Sequence, residues 1–257
     1  MPNSKFNNMR SFFVLLTIIC FALSCNKRSS TGNGGFNTTV PPIYSKIYGA
    51  TSITSDGTYL SVKTKGIPEH ISCYWPTTNS LYRAFTGTTT FNGETFQRAP
   101  NDIAEKNYVF KIPVNPAVNT SHPATPLGPI GFALNGVPLF NQYAAGGVAL
   151  GNEKKGFDQY YGHPQAQGGY HYHVEPLYIT TVKATKSSLV GFLLDGFPVY
   201  GPEENGALIT NADLDSYHGH TGATADYPNG IYHYHVTSAD PYINGAGFYG
   251  NPGTVTQ

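Results

Sequence analysis

The chain has 257 residues, with 15 Lys and Arg against 15 Asp and Glu, and charged residues make up only 12% of it. So sparse and balanced a charge offers no electrostatic footprint for nucleic acid, and the length is ample for one large domain. The 29 Gly and 19 Pro punctuate short runs rich in aromatic and β-branched residues, a pattern that predicts a mostly β fold without long amphipathic helices.

Lys5 and Arg10 precede the apolar run from Ser11 to Ser24, which has the flanks and length of a signal peptide and is short for a membrane span. Cys25 closes that run behind Ala22-Leu23-Ser24. Residues 1–25 are therefore similar to a bacterial lipoprotein signal, with Cys25 as the lipidated residue. Residues 26–42, rich at first in Ser, Gly, Asn and Thr, read as a flexible tether. The expectation is an exported lipoprotein whose lipid makes the membrane its partner. No acidic export signal accompanies Lys27 and Arg28, which favours the periplasmic side over the cell surface. Cys73 is then the one free cysteine left in the mature chain, so no intramolecular disulfide is available and a core position is expected for it. Met1 and Met9 both fall in the signal, which removes thioether ligands for copper(I).

Residues 43–257 read as a single β-rich domain. Ile53 to Val62 predicts a hairpin turning at Asp56-Gly57 through a type I′ turn, and Asn107 to Pro113 predicts a strand. His70 follows the turn Gly66-Ile67-Pro68-Glu69 and is a lone loop histidine, more in keeping with structure than with ligation.

From about residue 130 the sequence repeats itself. Gly131-Phe-Ala-Leu-Asn-Gly-Val-Pro-Leu-Phe140 returns as Gly191-Phe-Leu-Leu-Asp-Gly-Phe-Pro-Val-Tyr200. Phe157-Asp158-Gln-Tyr-Tyr-Gly162-His163 returns as Leu214-Asp215-Ser-Tyr-His218-Gly219-His220, and Tyr170-His-Tyr-His173 as Tyr232-His-Tyr-His235. Three matched blocks in one order predict two similar, pseudo-symmetric units, near 130–180 and 190–243. Each would comprise a hairpin, a Gly-His loop and a Tyr-His-Tyr-His strand. Pro138 and Pro198 lack a ladder donor, so their strands should be edges or short.

Alternate residues of a strand share a face, so each motif presents two imidazoles on one side and two phenols on the other. Same-face neighbours lie about 7 Å apart at the backbone, close enough for both rings to reach one ion at about 2 Å. The first candidate set is His171 and His173 with His163. The second is His233 and His235 with His220 or His218, and Asp158 and Asp215 are candidate carboxylate ligands or acceptors that orient an imidazole. Imidazole suits zinc, copper, iron and nickel, with zinc or copper the foremost expectation. A pseudo-twofold packing would bring the two sets close together, and the spacing leaves one shared site or two separate ones open. The competing reading is a packed strand in which His and Tyr are core.

The span from Ile53 to Tyr242 resembles the YHYH domain proteins, a family found among bacterial exported proteins and some eukaryotes. The resemblance is carried by Gly66-Ile-Pro-Glu-His70, Gly131 to Pro138, and both Gly-His and both Tyr-His-Tyr-His blocks. It implies membership and no particular chemistry. Nucleophile elbows, phosphate loops and dinucleotide fingerprints are absent from the sequence. Three functions remain, in this order: an exported, lipid-anchored metal-binding protein, a metalloenzyme with an open coordination position, and a structural or ligand-binding β-module with core histidines.

Overall fold

The structure, a computed structural model, describes residues 39–257. The expected signal, Cys25 and the tether as far as residue 38 lie outside the described residues. No helix among the described residues is long and apolar enough to cross a membrane.

The expected N-terminal hairpin forms from β1 (Ala50–Ser55) and β2 (Tyr59–Thr64), and β3 (Tyr108–Pro113) follows at the predicted place. The turn differs from a type I′ hairpin: Gly57 has positive φ, whereas Asp56 does not. Asp56 instead accepts the Thr58 and Tyr59 amides on its side chain, because three residues, not two, join the strands.

The first repeat supplies β4 (Pro129–Ala133), β5 (Pro138–Phe140), the small hairpin β6 (Tyr143–Ala144) and β7 (Val148–Ala149), then β8 (Gly162–Pro164) and β9 (Tyr170–Tyr172). The second supplies β10 (Leu189–Leu193), β11 (Pro198–Tyr200), the hairpin β12 (Glu203–Glu204) and β13 (Ala207–Leu208), then β14 (Gly219–Gly222) and β15 (Ile231–His235). A last strand, β16 (Thr254–Thr256), returns to pair with β3.

Two main sheets result. The smaller has the order β1-β2-β3-β16, and the larger has eight strands in the order β14-β15-β11-β10-β4-β5-β9-β8. The larger order is palindromic about the β10–β4 pair, where Phe192 stands opposite Phe132. Its central strands are buried along nearly their whole length, as expected where both faces are covered. Phe110 of the small sheet packs 4.9 Å from the Phe132 ring, which lies 6.1 Å from Phe192, and Tyr44 caps Phe192 at 4.9 Å. Burying each phenylalanine contributes about 2 kcal/mol, so this aromatic row ties both repeats to the N-terminal sheet. The Gly49 amide donates to the Leu134 carbonyl and that of Gly253 to the Leu194 carbonyl, so the small sheet grips the same turn in each repeat.

β5 and β11 are short, as expected, and both are internal: each pairs antiparallel with the preceding hairpin strand and parallel with a Tyr-His strand. Two expectations need correction. The Gly-His segments are edge strands rather than loops, because their backbones complete hairpins with β9 and β15. The Tyr-His strands are not neighbours: four strands stand between them, so at about 4.8 Å per strand they lie roughly 24 Å apart along the sheet. The palindrome places the hairpin strands at its centre and pushes the histidines outward.

The seam at the centre depends on glycine. A Cβ on Gly191 would stand 2.1 Å from the Phe132 carbonyl oxygen, and one on Gly131 2.3 Å from that of Phe192. Gly191→Ala should therefore lower stability by about 3 kcal/mol. A urea titration would show a lower midpoint, and an unchanged midpoint would mean the seam opens without strain.

Candidate metal centre

The hairpin register sets the first two ligands of each cluster. His163 of β8 pairs directly with His171 of β9, and His220 of β14 pairs with His233 of β15. The next same-face residue, His173 or His235, adds a third imidazole. Glycine is required beside the paired histidine because a tyrosine ring crosses there. A Cβ on Gly162 would meet the Tyr170 hydroxyl at 2.4 Å, and one on Gly219 would meet that of Tyr232 at 2.5 Å.

The phenol face holds this register. Tyr170 donates to Asp158 at 2.9 Å and Tyr232 to Asp215 at 3.0 Å. Asp158 also accepts the amides of Tyr160 and Gly162 and the Ser72 hydroxyl. Asp215 accepts the amides of Tyr217 and Gly219. Each aspartate thus caps the loop that delivers the Gly-His strand and bolts it to the first tyrosine of the motif. The second tyrosine meets the hairpin turn: the Asn135 amide donates to the Tyr172 hydroxyl, and Tyr234 donates to Asp195.

On the imidazole face, Glu153, His163, His171 and His173 form one group, and Glu204, His220, His233 and His235 a second. In each group one candidate ligand atom per residue lies within 4.8 Å of all the others. His171 Nε2 faces His173 Nε2 at 3.0 Å, and Glu153 stands 3.3 Å from His163 Nε2 and 3.8 Å from His173 Nε2. In the second group His220 Nε2 faces His233 Nε2 at 3.0 Å, with Glu204 oxygens 3.4 and 3.3 Å from them.

Backbone carbonyls fix the tautomers. His171 Nδ1 lies 3.1 Å from the Gly169 carbonyl and His173 Nδ1 2.6 Å from that of Asn141. His233 and His235 repeat this with Ile231 at 3.0 Å and Gly201 at 2.8 Å. A carbonyl only accepts, so each Nδ1 donates and the neutral ring leaves Nε2 as a bare lone pair pointing inward. Burial holds His163, His171 and His233 below the usual imidazole range and pushes His235 down to about 4. His163 Nε2 and His235 Nε2 are buried without a hydrogen-bond partner, which is costly unless something else satisfies them.

Among the sequence-predicted residues, the structure gathers His163, His171 and His173 in one cluster and His220, His233 and His235 in the other. His218 is elsewhere: it takes positive φ in the capped loop, as Tyr161 does in the first repeat, and its Nε2 lies 3.0 Å from the Thr237 hydroxyl. Asp158 and Asp215 belong to the phenol face and join neither cluster. His70 also lies on that side, with Nε2 3.0 Å from the Tyr172 hydroxyl. Glu153 and Glu204 were not singled out by the sequence. Glu153 comes from a short 3-10 helix, Gly151–Gly156, and Glu204 from β12. They occupy different places in the two repeats, so comparing the repeats hides them.

The arrangement defines a mostly β protein whose two repeats each carry three histidines and a glutamate able to hold a metal ion. The chain belongs to the YHYH protein family, whose model matches residues 109–206 and 203–247. No curated protein and no solved structure matches it.

Burial of neutral imidazoles gives acid sensitivity a definite sign. His218 and His235 are both pushed down to about 4 by burial, so as pH falls below about 6.5 the unfolded chain takes up protons first. Their stability contribution is full above about 6.5 and is lost down to about 4. Asp195, raised by burial to about 6, acts oppositely and gains stability on acidification through the window between about 4 and 6. Urea midpoints of chelator-treated protein should fall across this range, and Asp195→Asn should make the fall steeper. A shallower fall in that variant would refute the assignment.

Proposed function

We propose that this protein is an exported, lipid-anchored metal-binding protein that holds one ion in each repeat, two per chain. One observation carries the reading: in both clusters, imidazoles whose Nδ1 protons are committed to backbone carbonyls turn their bare Nε2 atoms toward one another and toward a carboxylate. In the first cluster the lone pairs of His171 and His173 lie 3.0 Å apart and repel unless a cation stands between them. An ion about 2.1 Å from each donor of a tetrahedron leaves those donors about 3.4 Å apart. The separations of 3.0 to 3.8 Å between neighbouring donors bracket this value, and all donors of each cluster lie within 4.8 Å of one another. Three imidazoles and one carboxylate at that spacing favour zinc, with copper, iron and nickel as chemically related alternatives.

Anchoring through Cys25 rests on the sequence of residues 1–25. Replacing Cys25 by alanine should release the protein from membranes, and equal retention of both forms would refute the anchor.

Protein purified without a metal-affinity tag should carry close to two metal equivalents by elemental analysis, matching the two clusters. His171→Ala with His173→Ala should remove one equivalent, and His233→Ala with His235→Ala the other. Wild type that stays empty in added zinc, copper, iron and nickel would overturn the reading.

A further inference from the structure

The two clusters share a donor set but not a wall. Around the first, Phe140 stacks on His171 with centroids 4.1 Å apart, and Phe157 packs against His163 at 5.1 Å and His173 at 6.2 Å. The adjoining cleft, about 340 Å³, reaches Glu153, His171 and His173 and is bordered by Leu127, Phe140, Tyr143 and Ala144 to Gly146. In the second repeat the positions of Phe140 and Phe157 are held by Tyr200 and Leu214. The Tyr200 hydroxyl reaches the Thr224 hydroxyl at 2.8 Å and Asp226 at 3.1 Å. Exposure differs in the same sense: the His220 side chain is 27% exposed and that of His163 only 5%.

A cleft of about 450 Å³ leads to the second cluster, reaching His235 and Glu204. Its other walls are Ser187, Tyr200, Glu203, Asn205 and Thr224, with small apolar residues, and no lysine or arginine borders it. His235 is 1% exposed, yet its Nε2 has no hydrogen-bond partner. That nitrogen is one of the four donors of the second cluster, so a polar cleft of small-molecule size ends at the ion position.

We propose that the second site is where this protein takes up an outside ligand, a small neutral polyol or sugar. One hydroxyl oxygen would join the ion held by Glu204, His220, His233 and His235, whereas the first site opens on a smaller cleft of about 340 Å³ bordered by Leu127, Phe140 and Tyr143. The inference rests on the metal-binding reading. Hydroxyls both donate and accept, which matches walls made of hydroxyls, an amide and the Glu203 carboxylate. The two glutamates and the missing cations disfavour an anion, and a fifth ligand is within the range of a four-donor zinc-type site.

The test uses the full chain loaded with cobalt(II), whose visible absorption reports coordination, after its cobalt content is measured. Xylitol is the neutral probe and inorganic phosphate the anionic comparison. Xylitol should perturb the spectrum of wild type and of His163→Ala with His171→Ala, and not that of His220→Ala with His233→Ala. Tyr200→Phe keeps every metal donor, so it should retain the cobalt content while weakening the xylitol response roughly fivefold to tenfold. A response to phosphate in place of xylitol, a response confined to the first site, no response at saturation, or an unaltered response in Tyr200→Phe would each overturn the proposal. Wild type that binds no cobalt fails earlier, at the metal-binding reading, and is recognised before any probe is added.

Discussion

The hydrogen bond from the first motif tyrosine to its loop-capping aspartate is the contact on which both clusters depend. Strand geometry puts His and Tyr on opposite faces, but alternation alone does not bring a third imidazole to the site. Tyr170 with Asp158, and Tyr232 with Asp215, bind the Gly-His loop to the back of the motif strand. Direct pairing of His163 with His171, and of His220 with His233, then follows from hairpin register. A one-residue slip would turn every imidazole to the phenol side. The aspartates therefore act on ligand placement without being ligands, and the motif works as a two-sided device.

The same scaffold tolerates different sources of the carboxylate. In the first repeat a 3-10 helix supplies Glu153, while in the second the hairpin strand β12 supplies Glu204. The position equivalent to Glu204 is Ala144 in the first repeat, on a hairpin that instead helps to border the cleft there. The imidazoles are held by sheet hydrogen bonds and carbonyl contacts, so their positions are constrained. The fourth group needs only a segment that passes over the open side of the cluster.

The same asymmetry extends outward from the donors. Phe140 and Phe157 pack against the imidazoles of the first cluster, and its cleft is bordered largely by apolar side chains. The second cluster faces hydroxyls, an acidic side chain and a cleft. Repeat sequences that agree at the imidazoles and differ at the surrounding positions give the two clusters different walls.

Residue order by itself determined much of this protein. Alternating Tyr and His fixed which side chains share a face, because the strand period is two. Asn135-Gly136 and Asp195-Gly196 marked the turns, and the three matched blocks marked two units of one design. Asp158 and Asp215 were visible as part of the repeat, though the face on which they act was not. Tertiary structure decided the rest. The parallel pairing of β5 with β9 and of β11 with β15 is a long-range contact with no local signature, and it carries the clusters to opposite ends of the larger sheet. Glu153 and Glu204 are brought to their clusters by chain paths that differ between repeats, so no periodicity could mark them. The exclusion of His218 follows from its positive φ, a backbone constraint that turns its ring toward Thr237 and away from the clustered imidazoles.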